Sequence, residues 1–220
     1  KILDTAVRRV LFAKFAMGLF EDPYGKTFKN RKRHSPESVK LAKTIADEST
    51  VLLKNENQLL PLDAKSLKSI AIIGPNADQV QFGDYTWSRN NKDGVTPLQG
   101  IKNRVNKNTA IHYAKGCSLT SLDTSGIAEA VEAAKNSEVA VIFGGSASAA
   151  LARDYKSSTC GEGFDLNDLN LTGAQSQLIR EVYRTGTPVI LVLVTGKPFV
   201  IEWEKNNLPA ILVQWYAGEQ

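Results

Sequence analysis

The residues best suited to chemistry lie in one short run, Cys160-Gly161-Glu162-Gly163-Phe164-Asp165. A carboxyl group serves as a general acid when protonated and as a general base when ionised. Glu162 stands between two glycines, which let the backbone take turns closed to other residues and let a ligand approach closely. A carboxylate on such a tip can reach into a neighbouring pocket. The run belongs to residues 146–171, which carry Arg153, Asp154, Tyr155, Lys156, Cys160, Glu162, Asp165 and Asp168 without a periodic apolar pattern. Connections longer than about 12–15 residues with no structure of their own are uncommon and often functional. On spacing alone, a solvated loop with incidental charges explains the segment at least as well. A second loop holds Asp84, Tyr85 and Trp87. Aromatic rings stack on the apolar faces of sugars, so these residues could line a sugar-binding edge; they could equally pack their loop against the domain.

Other constellations carry less. Gly144-Gly145-Ser146 could cradle a phosphate, but neither G-x-G-x-x-G nor G-K-[ST] spacing is present. His34 and His112 are the two histidines and lie far apart in sequence. A histidine-based metal site or a Ser-His-Asp triad is therefore unsupported, and no metal or cofactor is expected. Cys160 as a nucleophile would need a histidine base, and neither histidine is an obvious one. Cys117 and Cys160 are too few for a disulfide framework; two buried thiols are expected, with a single bridge as the alternative. The formal net charge of +4 over 220 residues is mild and mixed, so it permits anionic partners without arguing for them. Lys26, Lys29, Arg31, Lys32 and Arg33 form a basic stretch whose one aromatic residue is Phe28. It reads as a solvated linker rather than a nucleic-acid contact. No run of about 18 apolar residues occurs, so no membrane span is expected. The chain starts with Lys rather than Met, so the lack of a signal peptide says little about where the parent protein resides.

The elements that must position these loops alternate. Val7, Val10, Leu11, Phe15 and Leu19 give residues 1–20 a helical period, which Asp22-Pro23-Tyr24-Gly25 ends. Ser35 suits the N-cap and Pro36 the first position of a second helix, predicted to run to Leu52 or Leu53. Residues 69–74, 109–113, 139–143, 188–194 and 208–215 read as strands, several of them continuous apolar runs of the kind buried parallel strands show. Helices are predicted between them at 96–105, opened by Thr96-Pro97, at 125–134, capped by Ser125, and at 173–183 and 199–204. This alternation implies right-handed crossovers and an α/β fold, a mostly parallel sheet of five to six strands sandwiched between helices. Ligands bind beyond the carboxyl ends of such strands, so the loops after Ile73, Phe143 and Val194 are the ones to inspect.

Several segments, in order and at matching separations, resemble glycoside hydrolase family 3 of the β-glucosidase and β-xylosidase type. Ala6-Val7-Arg8-Arg9-Val10-Leu11 with Gly18-Leu19-Phe20-Glu21-Asp22-Pro23-Tyr24 is similar to the last helix and exit of that family's N-terminal (β/α)8-type barrel. Ala46-Asp47-Glu48-Ser49-Thr50-Val51-Leu52-Leu53-Lys54-Asn55 with Leu59-Leu60-Pro61-Leu62 resembles the opening of its second domain, and Ile72-Ile73-Gly74-Pro75-Asn76-Ala77 resembles that domain's first strand and turn. Gly161-Glu162-Gly163-Phe164-Asp165 with Leu169, Leu171 and Gln175 looks like the loop that carries the acid/base. Trp215-Tyr216-Ala217-Gly218-Glu219-Gln220 looks like a Trp-Pro-Gly-Glu-Gln segment with Ala217 in place of proline.

The resemblance implies a retaining hydrolase of terminal β-linked glucose or xylose, with Glu162 as acid/base; Asp84, Tyr85, Trp87 and Asp165 are then the candidate substrate-binding residues, the first three by residue type. Its partners would be a carbohydrate and the N-terminal barrel domain of the same polypeptide, with neither nucleic acid nor membrane. The layout it implies is 1–24 as the barrel's last helix and exit, 25–34 as linker, and 35–220 as an α/β domain truncated at its end. The nucleophilic aspartate would lie on the barrel, so this chain alone is expected to hydrolyse no glycoside. A periplasmic or secreted parent is a further implication. Leu166 departs from the family, many members having arginine after the aspartate, so no role of that arginine is carried over. A non-catalytic carbohydrate-binding or structural α/β module is the competing reading, and a flavodoxin-like nucleotide binder a third.

Overall fold

The computed structural model describes residues 1–24, 34–86, 94–148, 159–165 and 167–218. Residues 25–33 of the expected linker, Trp87, the run Arg153 to Lys156, Leu166 and the terminal Glu219-Gln220 lie outside the described residues. The chain divides into two compact units, Lys1–Ser38 and Val39–Gln220.

In the first unit, helix α1 (Ile2–Ala16) follows the predicted helical period and buries none of its residues. Val7, Val10, Leu11, Phe12 and Phe15 are all exposed. The rings of Phe15 and Phe20 stack 4.3 Å apart where the chain turns at Gly18.

Helix α2 (Pro36–Ser49) starts where the sequence placed it, with the Ser38 N–H donating to Ser35 Oγ at 3.2 Å. It ends earlier than expected. Val51–Asn55 is not helix but strand β1, antiparallel to the last strand of the sheet. Val51-Leu52-Leu53 suits either conformation by local pattern, and the partner strand lies some 160 residues on. The pairing with it decides the outcome, a tertiary override of local period.

The remaining elements are β2 (Ser69–Ile73), α3 (Pro97–Arg104), β3 (Ala110–Ala114), α4 (Ile127–Lys135), β4 (Ala140–Gly145), α5 (Gln175–Tyr183), β5 (Val189–Thr195), α6 (Glu202–Asn207) and β6 (Ala210–Trp215). Thr96 caps α3 by accepting from the Gln99 N–H. Ser125 does not cap α4, whose N-cap is Gly126; its hydroxyl bonds to Asp123 instead, closing a local turn.

The six strands run in the order β1-β6-β5-β4-β2-β3, parallel except for β1. β4 and β5 are buried at every position, which explains their uninterrupted apolar sequence. Alternate side chains feed two cores. Ala71, Ile73, Ile142, Leu191 and Leu193 pack with Ala130, Ala133 and Ala134 of α4 and Leu178, Ile179 and Val182 of α5. Ile70, Ile72, Val141, Phe143, Ile190 and Val192 pack with Leu98 of α3 on the other side. The chain leaves β2 outward to β3 and returns past β2 to β4. The topological switch point therefore lies between β2 and β4, where a doubly wound sheet opens its crevice.

Candidate active site

At that crevice the loop after β2 and the loop after β4 meet. In the second loop the Phe164 N–H donates to Gly161 O at 3.0 Å, closing a turn with Glu162 at its tip. Gly163 sits at φ +74°, as the third position of a type II turn requires. Glu162 is exposed. Its backbone N–H donates to Asp84 Oδ2 at 2.9 Å, and its side-chain Oε2 accepts from the Tyr85 hydroxyl. Tyr85, 78% exposed, holds a left-handed backbone at φ +65°. That conformation is costly for a residue with a Cβ and tends to persist at functional sites. Asp84 Oδ1 is buried with no hydrogen-bond partner among the described residues. The side chain thus braces the Glu162 loop with one oxygen and has the other closed off from solvent.

Of the residues singled out in the sequence, Glu162, Asp84 and Tyr85 are brought together. Asp165 is exposed on the same loop, and Trp87 lies outside the described residues. Among the described residues no group of three His, Cys, Asp or Glu side chains is placed to hold a metal ion, and no helix is long and apolar enough to cross a membrane. His112 lies on β3. Gly145, considered for phosphate binding, has another reason to be glycine: at φ +116°, a Cβ there would lie 2.2 Å from Val194 O on the next strand.

Sequence reasoning missed what holds the loop's feet. Ser148 and Cys160 form a parallel bridge, the Thr159 N–H donates to Ala147 O at 3.0 Å, and the Ala147 N–H donates to Thr159 Oγ1 at 3.1 Å. The long segment is thus pinched shut just before Glu162. Beneath it lies a polar cluster. Ser146 Oγ donates to Thr195 Oγ1 at 3.0 Å, and the Tyr216 hydroxyl lies 2.6 Å from Ser146 Oγ and 2.9 Å from Cys160 Sγ. Burial, then the hydrogen bond with Cys160, pushes the Tyr216 phenol well above its ordinary pKa, so it stays a neutral hydrogen-bonding group. A sequence signal existed: Ser146 and Thr195 are the polar residues met as the apolar runs of β4 and β5 end, and Tyr216 follows the last residue of β6. Asn76, just past β2, adds a tie by donating to Gly144 O and Ser146 O at 3.2 Å each. Cys117 and Cys160 are free, buried thiols.

The arrangement offers a carboxyl group on an anchored, glycine-flanked tip, held by a neutral hydroxyl and a second carboxylate. It is suited to moving one proton at an open crevice. Comparison with known proteins agrees with this fold. The Glycosyl hydrolase family 3 C-terminal domain matches residues 50–220. A β-xylosidase of Formosa agariphila is 38% identical over 99% of this chain, which spans 30% of that protein. A periplasmic β-glucosidase of Salmonella typhimurium is 35% identical over 99% of the chain and 31% of its own length. The structure of a β-glucosidase from Listeria innocua in complex with isofagomine superposes with a TM-score of 0.79 at 29% identity, covering 99% of this chain and 29% of that one. The chain therefore spans about a third of the relatives it matches, and it belongs to glycosyl hydrolase family 3 through that family's C-terminal domain.

Proposed function

We propose that this member of glycosyl hydrolase family 3 is the acid/base half of a retaining β-glycosidase that releases terminal β-linked glucose or xylose from oligosaccharides or glycosides. The observation that carries the reading is the position of Glu162: an exposed carboxyl at the switch point of the sheet, on a pinched loop, contacted by Tyr85 and braced by Asp84. In the first step an aspartate attacks the anomeric carbon while protonated Glu162 gives its proton to the departing oxygen, leaving a glycosyl-enzyme. In the second, ionised Glu162 takes a proton from water as that water attacks the same carbon and frees the sugar. The two carboxyl groups of such enzymes stand about 5–5.5 Å apart. The Tyr85 hydroxyl donates to Glu162 Oε2 and so orients the carboxyl group at the crevice. Tyr85, Trp87 and Asp165 are assigned to the substrate side, and Asp84 to holding Glu162 in place.

The aspartate and most sugar-binding groups are assigned to an N-terminal barrel domain of the same polypeptide. Residues 1–24 would be its last helix and exit, 25–34 the linker, and 35–220 the acid/base domain. Two findings support this division: the chain spans 30% of the Formosa β-xylosidase, and α1 presents an apolar face that a neighbouring domain would cover. A periplasmic or secreted location is supported by the name of the Salmonella relative.

In the full-length parent, Glu162→Ala should lower kcat/KM on natural disaccharides by roughly 10²–10⁴-fold. Azide should partly restore turnover of activated aryl glycosides, since a small anion can replace the missing base. Normal rates of the mutant on disaccharides would refute the assignment. The isolated chain should turn over no aryl β-glucoside, and Glu162-dependent turnover by it would refute the division of labour.

A further inference from the structure

We infer that Lys197 is a positioning residue for Glu162, an inference that rests on the acid/base reading above. Lys197 lies two residues past β5, where the chain turns sharply. The Lys197 N–H donates to Thr195 Oγ1 at 3.0 Å, and the same hydroxyl donates to Lys197 O at 2.7 Å. This closed turn sends the side chain toward the neighbouring loop, where Nζ donates to Thr159 O at 2.6 Å. The ammonium also lies 5.7 Å from the centre of the Phe199 ring.

Thr159 is 1% exposed, and it is the foot on which the Glu162 turn stands. Its N–H and hydroxyl are taken by Ala147, so its carbonyl is the group left for a tie from another strand. Lys197 supplies that tie with a charge-assisted hydrogen bond, among the strongest a side chain can make. A lysine spent on a main-chain carbonyl at a partly buried site is an expensive way to hold a loop. Burial works against its charge, while Asp165, Asp168 and Cys160 on the same loop work for it. The cation is therefore set among the groups of the acid/base loop. Ser146, Cys160 and Tyr216 tie the foot toward β6; Lys197 ties it to the end of β5. Glu162 follows the doubly held foot by three residues, so its height over the crevice is set by this pair of ties.

A positioning role makes a sharper claim than a stabilising one. Misplacing the acid/base hurts substrates whose leaving group needs a proton and spares those whose leaving group departs unaided. The experiment compares full-length parent enzyme with its Lys197→Met, Lys197→Arg and Glu162→Gln variants on a phenyl and a 2,4-dinitrophenyl β-glycoside. Lys197→Met should lose kcat on the phenyl glycoside by up to about 100-fold, the scale of a misplacement of about 1 Å. It should lose only a few-fold on the dinitrophenyl glycoside, with KM little changed. Lys197→Arg should recover most of the loss. Peptides covering 159–165 should exchange amide hydrogens faster in Lys197→Met, and those covering 115–126 should not. Should Lys197→Met fail to fold, Lys197→Gln is judged by the same criteria. Equal losses on both glycosides, or no loss, would overturn the inference. If Glu162→Gln shows the leaving-group dependence and Lys197→Met does not, the Lys197 inference alone falls. If Glu162→Gln keeps its rate on the phenyl glycoside, the acid/base reading falls and takes the inference with it.

Discussion

Two loops leave the carboxyl end of this sheet from neighbouring crossovers, and each carries one buried cysteine. They are held in opposite ways. The loop after β3 folds largely on itself. The Ser121 N–H bonds to Ser118 Oγ, the Asp123 N–H to Ser121 Oγ, and the Ser125 N–H to Asp123 Oδ1, all within three residues. Its outside ties, from Thr172 Oγ1 and Gln175 Nε2 to Leu119 O and from the Ala174 N–H to Ser121 O, dock it on the residues that lead into α5. The loop after β4 is held from elsewhere. Its feet are tied by β5 and β6 through Lys197 and Tyr216, and its tip is tied by Asp84 and Tyr85, 78 and 77 residues earlier in the chain. A loop that folds on itself fixes only its own shape. A loop held by groups on other strands fixes the place of its tip relative to those strands, and proton transfer needs that placement.

The largest expected difference between the two loops is in turnover. Asp84 and Asp123 each use a carboxylate to hold a backbone N–H. At the half-buried Asp84 a hydrogen bond to a charged group contributes about 1.5–3 kcal/mol, which corresponds to roughly 10- to 100-fold in rate if it serves the transition state. Asp84→Ala in the full-length parent should therefore cost kcat by about that factor on natural disaccharides. Asp123→Ala should leave kcat within a factor of about two, because its loop positions no reacting group. Steady-state kinetics of the two variants decide the matter. Equal effects would erase the distinction drawn between the loops.

That distinction also explains what was legible in the sequence. The buried strands β2, β4 and β5 were plain because a strand covered on both faces must be apolar throughout. β1 was not, because Val51-Leu52-Leu53 continues a helical pattern as well as it starts a strand, and its partner Val213 is far along the chain. The Ser125 cap failed because a hydroxyl can be drawn into a turn by a nearby carboxylate, here Asp123. Glu162 was visible through its flanking glycines, which are local. Its contact with Asp84 and Tyr85 was visible only as residue types suited to a sugar edge, since nothing local records a pairing across 78 residues. The anchoring role of Ser146, Thr195, Tyr216 and Lys197 was not legible because each is an ordinary polar residue at a strand end. Only the sheet order places them side by side.

A smaller effect is expected in stability. The Tyr216 hydroxyl lies within hydrogen-bond reach of both Ser146 and Cys160 beneath the Glu162 loop. Tyr216→Phe leaves both with one partner fewer, at a cost of about 1–3 kcal/mol, and should loosen the loop's feet as well. Thr172→Val removes the hydroxyl's bond to Leu119 O at 2.7 Å and the longer one it accepts from Gln175 Nε2 at 3.3 Å, while Gln175 Nε2 keeps other acceptors, and should cost about 1 kcal/mol. Denaturant midpoints of the two variants would show the order. The comparison breaks if Thr172→Val lowers turnover as much as Tyr216→Phe does.

The smallest effect is expected at Cys117. It sits within the apolar cluster formed with α4 and α5, and burial raises its thiol to about 11, Lys115 opposing only in part. At pH 8 roughly one thiol in a thousand would then be ionised, and only the thiolate is an effective nucleophile. Native protein should therefore resist alkylation at Cys117 until the pH approaches 11 or the domain unfolds. Cys117→Ala should leave kcat and KM unchanged, with a stability loss of about 1 kcal/mol from the smaller side chain. Cys160→Ala, by contrast, removes a partner of Tyr216 from the foot of the Glu162 loop. Its losses should fall on substrates with poor leaving groups. The two cysteines are equally buried, so burial alone predicts the same outcome for both. Matching kinetics in the two alanine variants would mean that the polar cluster under Glu162 is a core feature without influence on that carboxyl group.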